Sequence, residues 1–160
     1  MLRNVINALK LYGDPRLRII LLLGFSSGLP FALTFTTLTA WLNDVGIEKK
    51  EISLFAAVGI AYSFNYLWAP LVDHIKLPFL HTMGRRRSWM FFSQIALMGA
   101  IMGMATFNPA QLPLFTAFFA VCVAFASATQ DIVIDAYRTE ILDKRQYGEG
   151  AAVGVFGYRM

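Results

Sequence analysis

Two aspartates and an arginine close a long apolar run in the segment ATQDIVIDAYRTE, residues 128–140. Asp131, Asp135 and Arg138 follow at i, i+4 and i+7, so in a helix of 3.6 residues per turn they share one face. That face continues a stripe of Ala124, Ser127 and Ala128. Two carboxylates one turn apart repel when both are ionised, and a neighbouring guanidinium relieves the repulsion. Such a face must look toward packed protein or an aqueous cavity, and there it can carry a proton or meet a charged solute. The plainer reading is an interfacial ion pair between Asp135 and Arg138, with Asp131 held by a basic residue of a neighbouring helix.

A second set of charges lies in APLVDHIKLPFLHTMGRRRSW, residues 69–89. Asp73 ends one apolar run, and Gly84, Arg85, Arg86 and Arg87 introduce the next. An acid and arginines on a short connection can clamp two helices in one conformation and release them in another, as a gate requires. Three arginines can equally fix a membrane orientation and meet anionic lipid, and spacing alone leaves both readings open. His74 and His81 flank Pro78 without a carboxylate or thiol pattern, so no metal site is expected. The chain carries no Gly-rich phosphate loop, nucleophile elbow or zinc helix, so neither a cofactor nor an enzymatic activity is expected.

These side chains need elements to hold them, and composition says which. The chain is 57% hydrophobic and 15% charged, far more apolar than a soluble domain of 160 residues. Uncharged runs occupy 19–43, 52–72 and 88–130. The last is too long for one crossing of about 20 residues, and Asn108-Pro109 with Pro113 supplies the break. The expected fold is therefore all-α: a polytopic transmembrane helix bundle with spans at about 18–42, 52–72, 88–107 and 112–137, and a fifth segment from 150 to 160. The first uncharged run exceeds a signal-peptide core and should remain uncleaved.

Lys and Arg in the successive connections number four, two, four, none and three. The alternation places the N-terminus and the 73–87 and 138–149 loops in the cytoplasm by the positive-inside rule. The net charge of +4 arises from these blocks and not from one basic face, which argues against a nucleic-acid partner. Trp41, Trp68 and Trp89 fall near span ends, where amphipathic rings sit among headgroups. The single cysteine, Cys122, lies in an apolar run and reads as a small buried hydrophobe. Gly24 and Gly28, Gly99 and Gly103, and Ala120, Ala124 and Ala128 repeat at four-residue spacing, which lets helix backbones approach. Gly28-Leu29-Pro30 adds a kink or hinge to the first span. Thr34, Thr36, Thr37 and Thr39 are expected to bond back to their own helix, some of them lining a solute path.

The chain resembles the AmpG-type muropeptide permeases of the major facilitator superfamily. The resemblance rests on GFSSGLPFALTFTTLTAWL at 24–42, AYSFNYLWAPLVDH followed by GRRRSW, ASATQDIVIDAYRTE, and the closing GAAVGVFGYRM. QDIVIDA, which adds Gln130 to the acidic face, is the most specific of these, and the acetyl-CoA transporter family carries something similar. The resemblance implies proton-driven import of N-acetylglucosaminyl-anhydro-N-acetylmuramic acid and its peptides across the bacterial inner membrane, for peptidoglycan recycling. It also implies a gating role for Asp73 and the GRRR loop. Asn65 stands where the family pattern has lysine, and His74 where the superfamily loop has arginine, so positive charge is reduced there. Family members have at least twelve spans in two six-span halves with solute bound between them. The chain is thus expected to be an amino-terminal fragment that needs C-terminal spans of the same protein, a bilayer, muropeptide and protons as partners. The alternatives are a carrier of another anionic solute such as an acyl-CoA, and a truncated membrane protein that transports nothing.

Overall fold

Asp14 and Pro15 open the first helix by capping chemistry. Asp14 Oδ1 accepts the Arg16 backbone N–H at 2.9 Å, and Pro15 at the first helical position forfeits only a hydrogen bond no helix could supply. The structure, a computed structural model, describes residues 13–47, 55, 58–75, 77 and 84–160. Helix α1 (Pro15–Ala32) runs into a π-helical turn (Leu33–Thr37) and then α2 (Leu38–Asp44). Together they form one continuous helix of 30 residues, about 45 Å long, enough to cross a hydrocarbon core of about 30 Å. The widened turn follows Pro30, whose missing N–H and bulky ring disturb the helical ladder, and Leu38 N–H reaches back five residues to the Leu33 carbonyl. Helix α2 ends on Gly46, whose φ of 81° suits a residue without Cβ. Ile47 N–H returns to the Leu42 carbonyl at 3.1 Å and Gly46 N–H to Asn43 at 3.0 Å.

The next apolar stretch is not one helix among the described residues. It comprises α3 (Val58–Ser63), a 3₁₀ turn (Asn65–Leu67) and α4 (Ala69–His74). Pro70 is the physical reason for the second break. It occupies the first turn of α4, where no amide is needed, and would clash with the preceding turn in an unbroken helix. The expected span at 52–72 falls on these short helical pieces, with 52–54, 56 and 57 lying outside the described residues.

Helix α5 (Arg85–Thr106) and helix α6 (Pro113–Ile141) are each apolar and long enough to cross a membrane. Between them Asn108 accepts the Ala110 N–H on its side chain at 3.0 Å, and its carbonyl accepts Gln111 and Leu112. This is an Asx turn, and Pro113 then restarts the helix. A short 3₁₀ turn (Lys144–Gln146) leads into α7 (Tyr147–Arg159). The chain is all-α, with three helices of membrane-crossing length among the described residues.

Contacts divide the chain into two units, one of residues 1–29 with 134–160 and one of residues 30–133. In the first, Leu17, Ile20 and Leu142 are buried together with Val153 packed against them. Backbones touch there: a Cβ on Gly24 would sit 2.4 Å from the Gly154 carbonyl oxygen, one on Gly28 2.1 Å from that of Tyr158, and one on Gly157 2.3 Å from that of Leu21. In the second unit, Leu38, Leu42, Val58, Met104, Ala120 and Ala124 form one buried cluster. Leu97, Ala100, Val123 and Ala126 form another. Exposed Leu22, Met98, Met102, Leu114 and Phe118 are the surface a bilayer or further helices would cover.

Candidate functional site

The polar groups of α6 emerge from its buried face. Ala120, Ala124 and Ala128 are fully buried, and Ser127 and Gln130 are 1% exposed. Asp131 comes next, half-buried, in the unit of residues 30–133. It lies within electrostatic reach of the Tyr62 hydroxyl, which sits beside the Ser127 and Thr34 hydroxyls. Thr34 lies in the π turn and donates to the Pro30 carbonyl at 2.7 Å; Thr39 likewise donates to Phe35 at 2.8 Å. Both hydroxyls therefore bond back to their own helix.

Asp135 and Arg138 belong to the other unit. Arg138 Nη2 forms an ion pair with Asp135 Oδ1 at 3.1 Å, one helical turn apart, with the aspartate largely exposed. Arg138 also reaches α7, where a Cβ on Gly154 would lie 3.5 Å from Nη1.

The charged connection closes on one pair. Asp73, in the last turn of α4, accepts from Arg86 Nη1 at 2.5 Å in the first turn of α5. The Arg86 side chain is only 14% exposed, whereas Arg85 and Arg87 are exposed. Gly84 caps α5 at φ 87°, and its carbonyl accepts Ser88 Oγ at 2.8 Å. Trp89 Nε1 donates to the Ile75 carbonyl at 2.9 Å, tying α5 to the residue that follows α4. His74 donates to the Pro70 carbonyl at 2.7 Å, so its ring is held on its own helix. His81, Pro78, Lys76, Lys49, Lys50, Arg3 and Lys10 lie outside the described residues. Among the described residues no three His, Cys, Asp or Glu side chains converge in a metal-ligating group.

The glycines singled out by spacing differ in setting. Gly103 lies against the Phe119 ring, where a Cβ would fall 2.2 Å from Cε1, while Gly99 has nothing within 4 Å. A groove of about 710 Å³ is lined by Trp68, Leu71, Trp89, Phe92, Cys122 and Phe125 among others. Its walls are almost wholly apolar, so it offers little to a charged or hydroxylated solute. Trp68 stacks on Phe125 at 4.5 Å and donates to Thr129 at 3.2 Å. Tyr62 carried no signal in the sequence, because its partners come from segments about 30 and 65 residues away and no periodicity links them.

The sequence pattern of the family described as Acetyl-coenzyme A transporter 1 matches residues 16–108, more than half of the chain. The chain belongs to that transporter family. It is 46% identical over 152 residues to the anhydromuropeptide permease of Escherichia coli (strain K12), a match covering 95% of this chain and 30% of the relative. It is 36% identical over 151 residues to putative transporter AmpG 4 of Rickettsia felis, covering 94% and 36%. It is 41% identical over 137 residues to an uncharacterized protein of Haemophilus influenzae, covering 86% and 32%. The resemblance to AmpG-type permeases is therefore homology along nearly the whole chain. The chain spans about a third of the length of the curated relatives it matches. The named relatives of this family member are permeases and transporters.

Proposed function

We propose that this family member contributes the first spans of a proton-driven importer that carries anhydro-muropeptides into the cytoplasm across the bacterial inner membrane. The 46% identity to an anhydromuropeptide permease over 95% of the chain carries this reading. In it, further spans of a longer carrier complete the solute cavity, Asp131 exchanges the driving proton, and the Asp73–Arg86 pair holds one conformation of the gate. The cytoplasmic N-terminus follows from the concentration of Lys and Arg in alternate connections. An acyl-CoA as solute would agree with the name of the matching family, but the relatives at higher coverage of this chain are muropeptide and AmpG-type proteins.

The deciding experiment is uptake by inverted-topology-controlled vesicles holding the full-length carrier under an imposed proton gradient. Gradient-driven accumulation of anhydro-muropeptide with indifference to acetyl-CoA is expected. Accumulation of acetyl-CoA instead would remove the muropeptide assignment.

A further inference from the structure

Three chain segments of the unit formed by residues 30–133 bring polar side chains to one place. Thr34 comes from the π turn, Tyr62 from α3, and Ser127 and Asp131 from successive turns of α6. Thr34 is 5% and Ser127 1% exposed. The Thr34 proton is committed to the Pro30 carbonyl, which leaves its oxygen as an acceptor. Neither Tyr62 Oη nor Ser127 Oγ completes a hydrogen bond of good geometry, although both are buried. Orphaned hydroxyls at a buried site are costly and are found where a solute or water supplies the missing partner. A π turn inside an otherwise α-helical span is a second, independent mark of a functional position.

An aromatic wall stands beside these groups. The Phe31 and Phe35 rings lie 4.5 Å apart, and Tyr62 meets them at 5.6 and 5.7 Å. Phe31 and Phe35 are each 38% exposed, so part of this wall is accessible. The combination discriminates among solutes. A phosphate would be repelled by Asp131, and among the described residues a bare cation would meet one carboxylate here. A neutral sugar ring satisfies every member: its C–H face lies on aromatic rings, and its hydroxyls pair with the Asp131 carboxylate, with the Thr34 oxygen as acceptor, and with the Tyr62 and Ser127 hydroxyls, which can donate and accept.

We propose that Tyr62, Thr34, Ser127 and Asp131, walled by Phe31 and Phe35, form a subsite for one pyranose ring of the carried solute. The inference rests on the reading of the chain as part of a muropeptide carrier. Tyr62→Phe keeps the ring packing and deletes only the hydroxyl. In vesicles holding the full-length carrier, radiolabelled N-acetylglucosaminyl-anhydro-N-acetylmuramic acid should show a KM raised about 5- to 10-fold in this variant. Maximal rate, dependence on the proton gradient and membrane abundance should stay at the parent level. Ser127→Ala should raise KM in the same direction, which guards against misfolding of either variant alone. A KM within twofold of the parent in both variants, with the parent transporting normally, overturns the subsite and leaves the carrier assignment standing. Loss of gradient dependence at unchanged KM also overturns it, since Tyr62 would then serve the proton and not the sugar. A parent protein that carries acetyl-CoA and no disaccharide overturns both statements together.

Discussion

The two aspartates of QDIVIDA occupy different environments, and their chemistry should differ accordingly. Asp131 is half-buried among hydroxyls and beside fully buried helix surface, whereas the Asp135 side chain is 66% exposed and paired with Arg138. An exposed pair one turn apart is worth about 0–1 kcal/mol. Asp135→Asn should therefore change thermal stability in detergent by no more than about 1 kcal/mol, measured on purified full-length carrier. Asp131→Asn should abolish accumulation driven by a proton gradient while solute exchange down its own gradient persists. Intact accumulation in that variant would remove Asp131 from the coupling step. The spacing of Asp131, Asp135 and Arg138 was legible in the sequence because one helix carries all three. Tyr62 was not, because a hydroxyl reaches this place only through packing of a separate segment against α6.

At the scale of elements, one contact and one set of glycines decide how helices meet. Of the three consecutive arginines, Arg86 alone is mostly buried, and it bonds Asp73 across the connection from α4 to α5. Arg86→Gln should slow transport several-fold, more than Arg85→Gln or Arg87→Gln. The exchange Asp73→Arg with Arg86→Asp should recover a measurable part of the rate, as read in paired uptake assays; failure of the exchange would leave only an orientation role for the cluster. Gly28 and Gly99 make a second comparison. A methyl at Gly28 would collide with a backbone carbonyl of α7, so Gly28→Ala should lower stability by about 1–3 kcal/mol. Gly99→Ala meets open space and should be neutral or slightly stabilising, by up to about 1 kcal/mol, in the same unfolding assay. Identical four-residue spacing gave no means of separating these two glycines, since the difference lies in what each helix faces. Nor did the uncharged run at 52–72 disclose the short helical pieces within it: hydropathy registers neither the 3₁₀ turn at Asn65–Leu67 nor the placement of Pro70 in the first turn of α4. The uncharged runs at 19–43 and 88–130 fall on helices that extend past them into charged residues, because a helix continues through the headgroup zone where charge is cheap.

For the molecule as a whole, orientation is the property the charge distribution reaches furthest toward. With Cys122 replaced by serine, single cysteines introduced near Lys144 and near Gly46 should label from opposite sides of intact cells with a membrane-impermeant thiol reagent. Protection near Lys144 and reaction near Gly46 is the expected result, and the reverse pattern would invert the topology. Composition alone sufficed for the all-α membrane architecture, because so much apolar surface has no other stable solvent. Solute identity was beyond composition, since it depends on a few hydroxyls and rings that no periodic pattern registers.

The five-residue repeat at Leu33–Thr37 also resets the angular phase of the first span. Side chains after Thr37 point roughly one residue step, about 100°, away from where an unbroken α-helix would aim them. Any helical wheel drawn through both halves mixes two faces. A cysteine-accessibility scan from Pro30 to Asp44 should consequently lose its 3.6-residue rhythm across that turn and resume it shifted by one position.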